Sequence, residues 1–281
     1  MNTSRRFARV LISLAAALSF AGVAAAATPT PSSLGSTPTP VAGAKHFVMV
    51  HGAWHGAWTW FKVEARLENA GHTVTTLDLP SHGTDDTDPA TVTLADYTQA
   101  VVDVLDAASA PVILVGHSMG GVVLSSAAEA RPAKVEKLVY LAAFLVPSGA
   151  SMFDFAMQDT DSIVGQNLVI GAGTIDVAAS AREAAFYGKS PAWAPALADD
   201  LLVVNPIAPI GTPLALTNAN FGSVRRFYIK TTYDQAVTPK LQDLMIAGLP
   251  CEDVFTLKSD HSPFFSRPAQ LTKPLLDIAA R

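Results

Sequence analysis

From Lys45 to the end of the chain, short apolar runs alternate with longer stretches whose apolar residues follow helical spacing. Each short run is nearly continuous and is bounded by turn-forming residues, which is typical of a strand buried on both faces. This alternation predicts an α/β fold with a mostly parallel sheet and helices on both faces. The predicted strands are 46–50, 72–78, 111–115, 135–144, 226–231 and 253–257, and the predicted helices are 60–70, 94–108, 121–130, 239–247 and 268–280.

One long interval, from about Pro147 to Asn220, interrupts the alternation. A structureless loop of this length is improbable inside a compact domain, and parts of the interval favour helices. We therefore predict an inserted helical cap over the carboxyl edge of the sheet. Its large apolar side chains either line a substrate pocket or form the core of the cap itself: Phe153, Phe155, Met157, Phe186, Tyr187 and Trp193.

Residues 1–27 have the pattern of a secretory signal peptide. Three arginines precede an apolar run over about 10–23, and four alanines follow it. The run is short for a membrane span of ~20 residues, so cleavage near 25–27 is favoured over a membrane anchor. Residues 28–44 are rich in Pro, Thr, Ser and Gly and predict a disordered linker. The mature protein is then a periplasmic or secreted domain, 45–281, without a membrane span.

The chain is acidic, and its net charge of −5 becomes −8 when the signal peptide, with three arginines and no acid, is removed. An acidic surface argues against nucleic acids and anionic membranes as partners. A small molecule is therefore the expected partner, bound by a monomer or homodimer. Cys251 is the only cysteine, so neither an internal disulfide nor a cysteine-based metal site is expected. Without metal-ligand spacing or a dinucleotide-binding glycine motif, the sequence predicts no metal and no cofactor.

The segment Gly116-His117-Ser118-Met119-Gly120 carries the first sign of chemistry. It follows a buried strand and precedes a helix, which is the context of a nucleophile elbow, a tight turn that lifts its serine above the end of the sheet. Glycines two residues before and after the serine leave room for that turn. The free N–H groups and the positive dipole end of the following helix favour an oxyanion nearby. The segment predicts Ser118 as a nucleophile.

A serine hydroxyl needs a base that takes its proton and an acid that orients the base. In a fold with this elbow, the chain order is serine, acid, histidine. His261 is the only histidine after Ser118 and lies just beyond the last predicted strand, so it is the expected base. Asp234 follows the preceding strand and is the expected acid. Asp260, next to the histidine, and Asp243, on the following helix, are the alternatives.

Two backbone N–H groups are needed to stabilise an oxyanion. One is expected from Met119, the residue after the nucleophile. The other is expected from Ala53 in the loop after the first strand, where Gly52 allows close approach of the backbone. His51, at the start of that loop, is expected to be a structural residue.

Four segments resemble the α/β-hydrolase superfamily. They are most similar to the branch that contains plant hydroxynitrile lyases, plant methyl-ester hydrolases such as the salicylate-binding esterase, and bacterial pyrethroid-hydrolysing carboxylesterases. The segments are HGAWHGAW at 51–58, LDLPSHG at 77–83, GHSMGG at 116–121 and SDHSP at 259–263. The resemblance implies the α/β-hydrolase fold with a cap over about 147–220. The site residues that it implies are catalytic Ser118, Asp234 and His261 and the oxyanion-hole N–H groups of Ala53 and Met119.

Two positions distinguish lyases from esterases in that branch. The lyases carry a threonine at the position of Gly52, which binds the cyanohydrin, and a lysine at the position of Ser262, which stabilises the leaving cyanide. This chain has neither, so the resemblance favours a serine carboxylesterase that hydrolyses a small to medium hydrophobic ester through an acyl-enzyme intermediate. The alternatives are a hydroxynitrile lyase-like or other cofactor-free reaction in the same site, and a small-ligand-binding protein with a residual triad.

Overall fold

The computed structural model describes residues 43–281, so the predicted signal peptide and almost all of the predicted linker lie outside the described residues. The strands of the described part are β1 (His46–Val50), β2 (Thr73–Leu77), β3 (Val112–His117), β4 (Val135–Leu141), β5 (Leu168–Ile170), β6 (Thr174–Val177), β7 (Asn205–Pro206), β8 (Arg225–Thr231) and β9 (Asp253–Leu257). Six of them form one parallel sheet in the order β2-β1-β3-β4-β8-β9. The other three form a small antiparallel sheet in the order β5-β6-β7.

Helices cover the parallel sheet. The helices of the described part are α1 (Phe61–Asn69), α2 (Leu94–Ala107), α3 (Gly120–Ala130), α4 (Met152–Ala156), α5 (Ile163–Gln166), α6 (Ala179–Phe186), α7 (Trp193–Leu201), α8 (Ala208–Gly211), α9 (Pro239–Gly248), α10 (Pro263–Ser266) and α11 (Pro268–Ala279). Helix α1 packs against α11, and α2 packs against α3. The α/β fold predicted from the alternation of strands and helices is confirmed. Within residues 43–281, no helix combines the length and apolarity needed to cross a membrane.

Burial of the central strands explains their apolar sequences. All six residues of β3 are buried, because the strand lies inside a sheet with both faces covered. The strand predicted within 135–144 is β4, which stops at Leu141. Ala142 adopts a positive φ of 43°, which ends the strand, although the chain remains buried through Val146. The continuous apolar run therefore indicates that these residues are buried, and not that all of them belong to a strand.

Parallel strands bring their carboxyl ends to one edge of the sheet, where the loops that follow them can form a site. Ala53 follows β1, Ser118 follows β3, Asp234 follows β8 and His261 follows β9. The residues proposed from the sequence for chemistry thus lie in four loops at the same edge.

The segment between β4 and β8, residues 142–224 and here called the insertion, interrupts the strand–helix alternation. It is not purely helical, because the small antiparallel sheet lies among α4 to α8. The strands of this sheet have between two and four residues. Such strands are too short to produce a recognisable alternating pattern, which is why the sequence indicated helices alone.

Candidate active site

Ser118 lies in a tight turn between β3 and α3. Its φ of 53° is in the left-handed region, which a residue with a side chain adopts only where its surroundings enforce it. The N–H of Ser118 donates to the carbonyl of Leu141 at 3.3 Å, and its own carbonyl accepts the N–H of Phe144 at 3.0 Å. A Cβ on Gly116 would lie 2.2 Å from the side chain of Leu124, so strand and helix approach too closely for a larger residue. The turn has the geometry of a nucleophile elbow.

A buried carboxylate, that of Asp234, lies in the loop after β8. Its Oδ2 accepts a hydrogen bond from Nδ1 of His261 at 2.8 Å and another from the hydroxyl of Thr231 at 2.7 Å. Its Oδ1 accepts the backbone N–H groups of Ala236 and Val237, both at 2.9 Å. These donors replace the hydrogen bonds to water that a buried carboxylate loses.

His261 is held by both its ring and its backbone. In the neutral ring, an Nδ1 that donates to Asp234 leaves Nε2 without a proton and able to accept one. The Nε2–H group of His117 donates to the carbonyl of His261 at 2.8 Å, and burial lowers the pKa of His117 well below its usual value, so this ring stays neutral. Ser118 and His261 line one cavity. The structure therefore brings Ser118, Asp234 and His261 together at the carboxyl edge of the sheet.

The two alternative acids have other partners. Asp243 lies on α9, as expected, and pairs with Lys230. The carboxylate of Asp260 accepts the backbone N–H of Lys189 at 2.9 Å and the hydroxyl of Ser190 at 2.8 Å. Among the described residues, neither carboxylate bonds to the ring of the candidate base. Asp260 instead ties the loop after β9 to the insertion.

Ala53, in the loop after β1, and Met119, at the start of α3, are both buried. In the described part of the chain, neither backbone N–H group donates to a protein acceptor. His51 fixes the first of them, because its Nδ1–H donates to the carbonyl of Gly52 at 2.8 Å while its Nε2 accepts the N–H of Leu79 at 3.0 Å. The carbonyl of Gly52 and the N–H of Ala53 belong to the same planar peptide unit, so holding one orients the other. Both N–H groups are available to a bound oxygen.

Replacement of Gly52 by alanine is expected to lower kcat/KM of a reaction at Ser118 about 10- to 100-fold, since sub-ångström to ångström displacements of reacting groups have effects of that size. The added Cβ would lie 2.9 Å from Cβ of Ser118 and 2.9 Å from Nδ1 of His117, so the nucleophile or the loop must move. Gly211→Ala is the matched control, because a Cβ there meets nothing within 4 Å. Steady-state kinetics of both variants measure the loss, and equal kcat/KM values for Gly52→Ala and Gly211→Ala would contradict the expectation.

The insertion holds the rest of the loop after β1 through Trp54, whose φ of 63° is also in the left-handed region. The backbone N–H of Trp54 donates to Oδ1 of Asn205 at 3.2 Å, and its indole N–H donates to the carbonyl of Ile175 at 2.9 Å. These partners lie on β7 and β6, so the small sheet anchors the loop. Trp54 belongs to the HGAWHGAW segment at 51–58, but no local sequence pattern connects it to residues more than 100 positions away.

A cavity opens beside Ser118 and His261. Its walls are mostly apolar, and no lysine or arginine of the described residues lines it. Three of the large side chains singled out from the sequence belong to the wall, namely Phe153, Met157 and Phe186. The other three pack elsewhere: Phe155 against the core, Trp193 against Phe61 and Phe265, and Tyr187 against His55.

The two polar wall residues of the insertion are engaged with the protein itself. The carboxylate of Asp159 accepts the backbone N–H and the hydroxyl of Thr238 at 2.8 and 2.6 Å. The hydroxyl of Ser162 donates to the carbonyl of Ala236 at 2.7 Å. Both contacts attach the insertion to the loop of Asp234. Among the described residues, no group of three or more histidine, cysteine or acidic side chains is placed to hold a metal ion.

A sequence model of the α/β hydrolase family matches residues 47–273. The match covers most of the chain and includes the loops that carry Ala53, Ser118, Asp234 and His261. The chain therefore belongs to the α/β hydrolase family, in agreement with the resemblance seen in its motifs.

Similar proteins include plant methylesterases and a bacterial hydrolase. The chain is 36% identical over 250 residues to methylesterase 7 of Arabidopsis thaliana, with 84% of this chain and 96% of that protein covered. It is 38% identical over 248 residues to a chloroplastic protein of the same plant named methylesterase 11, covering 83% of this chain and 64% of that protein. The chain thus spans less than two thirds of the length of that protein, and it spans 56% of two further chloroplastic relatives.

A solved structure of a pyrethroid hydrolase from Sphingobium faniae JZ-2 superposes with a TM-score of 0.77 at 25% identity, over 84% of this chain and 98% of that chain. The resemblance to methyl-ester hydrolases and pyrethroid hydrolases, which the motifs indicated, is confirmed.

Proposed function

We propose that this protein is a serine carboxylesterase. The observation that carries the proposal is the hydrogen bond from His261 to the buried carboxylate of Asp234. Ser118 lies in an elbow, and it lines the same cavity as His261. A histidine oriented by a buried carboxylate is the base that a serine nucleophile requires. Ser118 is then the nucleophile, His261 the general base and Asp234 the orienting acid. The N–H groups of Ala53 and Met119 form the oxyanion hole.

The reaction proceeds through an acyl-enzyme. Oγ of Ser118 attacks the ester carbonyl while its proton passes to Nε2 of His261, and the carbonyl oxygen becomes an oxyanion bound by the two N–H groups. The tetrahedral intermediate collapses, the bond to the alcohol oxygen breaks, and His261 returns the proton to that oxygen. Water, deprotonated by His261, attacks the acyl carbon in the second half. The acid leaves, and the proton returns to Ser118.

The substrate is a neutral ester with a hydrophobic acyl group. An anionic group in this cavity would lose its hydration and find no lysine or arginine partner on the wall, and the one carboxylate there, that of Asp159, is already bonded to Thr238. The similarity to methylesterases supports a methyl ester, in which the alcohol is small and the acid fills the apolar cavity.

Ester hydrolysis is favoured over cyanohydrin cleavage by positions 52 and 262. A threonine at position 52, as in the lyases, begins with a Cβ that would lie 2.9 Å from Cβ of Ser118, so this backbone does not accommodate it without movement. Ser262 is neutral and its hydroxyl is buried, so the cation that stabilises cyanide in the lyases has no counterpart at this position.

The domain organisation of the sequence prediction is part of the proposal. The insertion acts as a cap, which is supported by its bonds to the loops after β1, β8 and β9. Residues 1–27 act as a signal peptide, and the mature esterase is periplasmic or secreted. Comparison of the mature N-terminus with the full sequence after expression in the native host tests this part.

The experiment that tests the function combines turnover with covalent labelling. We expect hydrolysis of p-nitrophenyl acetate, p-nitrophenyl butyrate and methyl esters of aromatic acids, and labelling by a fluorophosphonate at Ser118, identified by peptide mass spectrometry. Mandelonitrile serves as the lyase substrate. Mandelonitrile cleavage without ester hydrolysis would replace the proposal by the lyase alternative, and tight binding of esters without turnover or labelling would replace it by the binding protein.

A further inference from the structure

The buried ring of His55 lies behind the wall of the cavity, and both of its nitrogens are engaged. Nδ1 is 2.7 Å from the carbonyl oxygen of Ala53, and Nε2 is 2.6 Å from the hydroxyl oxygen of Tyr187. His55 is 1% exposed and Tyr187 is 3% exposed. Neither residue lines the cavity, so neither touches a substrate bound there.

The chemistry of the two contacts assigns the protons. A carbonyl oxygen only accepts, so the proton of His55 is on Nδ1, and Nε2 is left to accept from the hydroxyl of Tyr187. Burial lowers the pKa of His55 to about 3 and raises that of Tyr187 above its usual value, so both groups are neutral at neutral pH. The result is a pair of hydrogen bonds that run in one direction, from the Tyr187 hydroxyl to the His55 ring and from that ring to the Ala53 carbonyl.

The pair of hydrogen bonds ends at Ala53, whose N–H is proposed as an oxyanion donor. His51 holds the carbonyl that precedes that N–H, and His55 holds the carbonyl that follows it. With both flanking peptide units bonded, the N–H of Ala53 has little freedom to rotate. A donor fixed before the oxyanion forms requires no reorganisation during the reaction, which is the source of its catalytic value.

Tyr187 belongs to the insertion and directly follows α6. Two and three residues further on, the backbone N–H of Lys189 and the hydroxyl of Ser190 donate to the carboxylate of Asp260, the neighbour of His261. Phe186, which precedes Tyr187, lines the cavity. One short stretch of the insertion therefore contacts the substrate cavity, the loop of the oxyanion donor and the loop of the general base.

We infer that His55 and Tyr187 are positioning residues for the oxyanion hole, through which the insertion sets the orientation of the Ala53 N–H. This inference rests on the proposed esterase function. The Tyr187 hydroxyl orients His55, and His55 orients Ala53. The sequence contains His55 in the segment at 51–58, but its partner lies 132 positions away and no local pattern predicts the contact.

The test is Tyr187→Phe, which removes one hydroxyl and retains the ring. Loss of a whole oxyanion donor lowers kcat by ~10²–10³-fold, so loss of its support is expected to lower kcat for p-nitrophenyl acetate about tenfold, with KM within twofold. Affinity for a trifluoromethyl ketone, which forms an oxyanion on Ser118, should fall by a similar factor.

Tyr140→Phe is the matched control, since it also removes one buried hydroxyl, which bonds to Ser125 at 2.8 Å and has no contact with Ala53. Within a second pair, His55→Asn retains a donor near the Nδ1 position, whereas His55→Leu has none. We expect the asparagine variant to keep more activity than the leucine variant. Thermal unfolding of all four variants separates a loss of folded protein from a loss of positioning.

The inference is overturned if Tyr187→Phe retains kcat and trifluoromethyl ketone affinity within twofold of the wild type. It is also overturned if Tyr187→Phe loses no more activity than Tyr140→Phe. A wild-type protein that neither hydrolyses esters nor is labelled at Ser118 would instead refute the proposed function itself. The two failures are thus distinguished by the behaviour of the wild type.

Discussion

Replacement of Ser118 by alanine is expected to lower kcat for ester hydrolysis by at least ~10³-fold and toward ~10⁶-fold, the range found when a serine nucleophile is removed. Without Oγ no acyl-enzyme forms, and His261 has no hydroxyl from which to take a proton. Some catalysis of water attack is expected to persist, because the proposed oxyanion donors, the N–H groups of Ala53 and Met119, are unchanged in this variant. Single-turnover and steady-state assays with p-nitrophenyl esters measure the loss.

Ser126→Ala is the control for this variant, because Ser126 lies on α3, eight positions beyond the nucleophile, and is half-buried. It should retain activity within twofold. Fluorophosphonate labelling should disappear from Ser118→Ala and persist in the control. Comparable ester turnover by Ser118→Ala and the wild type would show that another group is the nucleophile, and the assignment of Ser118 would be wrong.

Asp234→Asn is expected to lower kcat by ~10⁴-fold, as the corresponding change does when it imposes the wrong tautomer on a catalytic histidine. In the structure, Oδ1 of Asp234 accepts two backbone N–H groups, from Ala236 and Val237. The amide oxygen of asparagine must take that position, which directs its NH₂ group toward Nδ1 of His261. The histidine then has to accept at Nδ1 and carry its proton on Nε2, where it cannot take the proton of Ser118.

The same substitution at Asp243 provides a matched control, because that carboxylate is largely exposed and pairs with Lys230 on the outside of the site. Asp243→Asn should retain activity within twofold. We expect KM of Asp234→Asn to change little, since Asp234 does not line the cavity. A loss of activity below tenfold in Asp234→Asn, with the fold intact, would contradict its proposed role in orienting His261.

The central strands of the parallel sheet were predictable because they are buried on both faces and therefore read as unbroken apolar runs. β1 lies where its run predicts it, and α11 begins at the predicted Pro268. The small sheet was not predictable. Its strands are too short for a periodic signal, and they are stabilised by pairing with each other and by contacts with Trp54 rather than by their own composition.

The sequence by itself determined the family, the elbow at Ser118 and the histidine, since only one histidine follows that serine. Only the tertiary structure decided which carboxylate bonds to His261. Asp260 is next to His261 in the chain and Asp234 lies at the same edge of the sheet, so the sequence left both as candidates. Only the tertiary structure joined His55 to Tyr187. Local sequence patterns record which residues are buried, whereas a hydrogen bond depends on the distance and direction between two atoms that packing alone brings together.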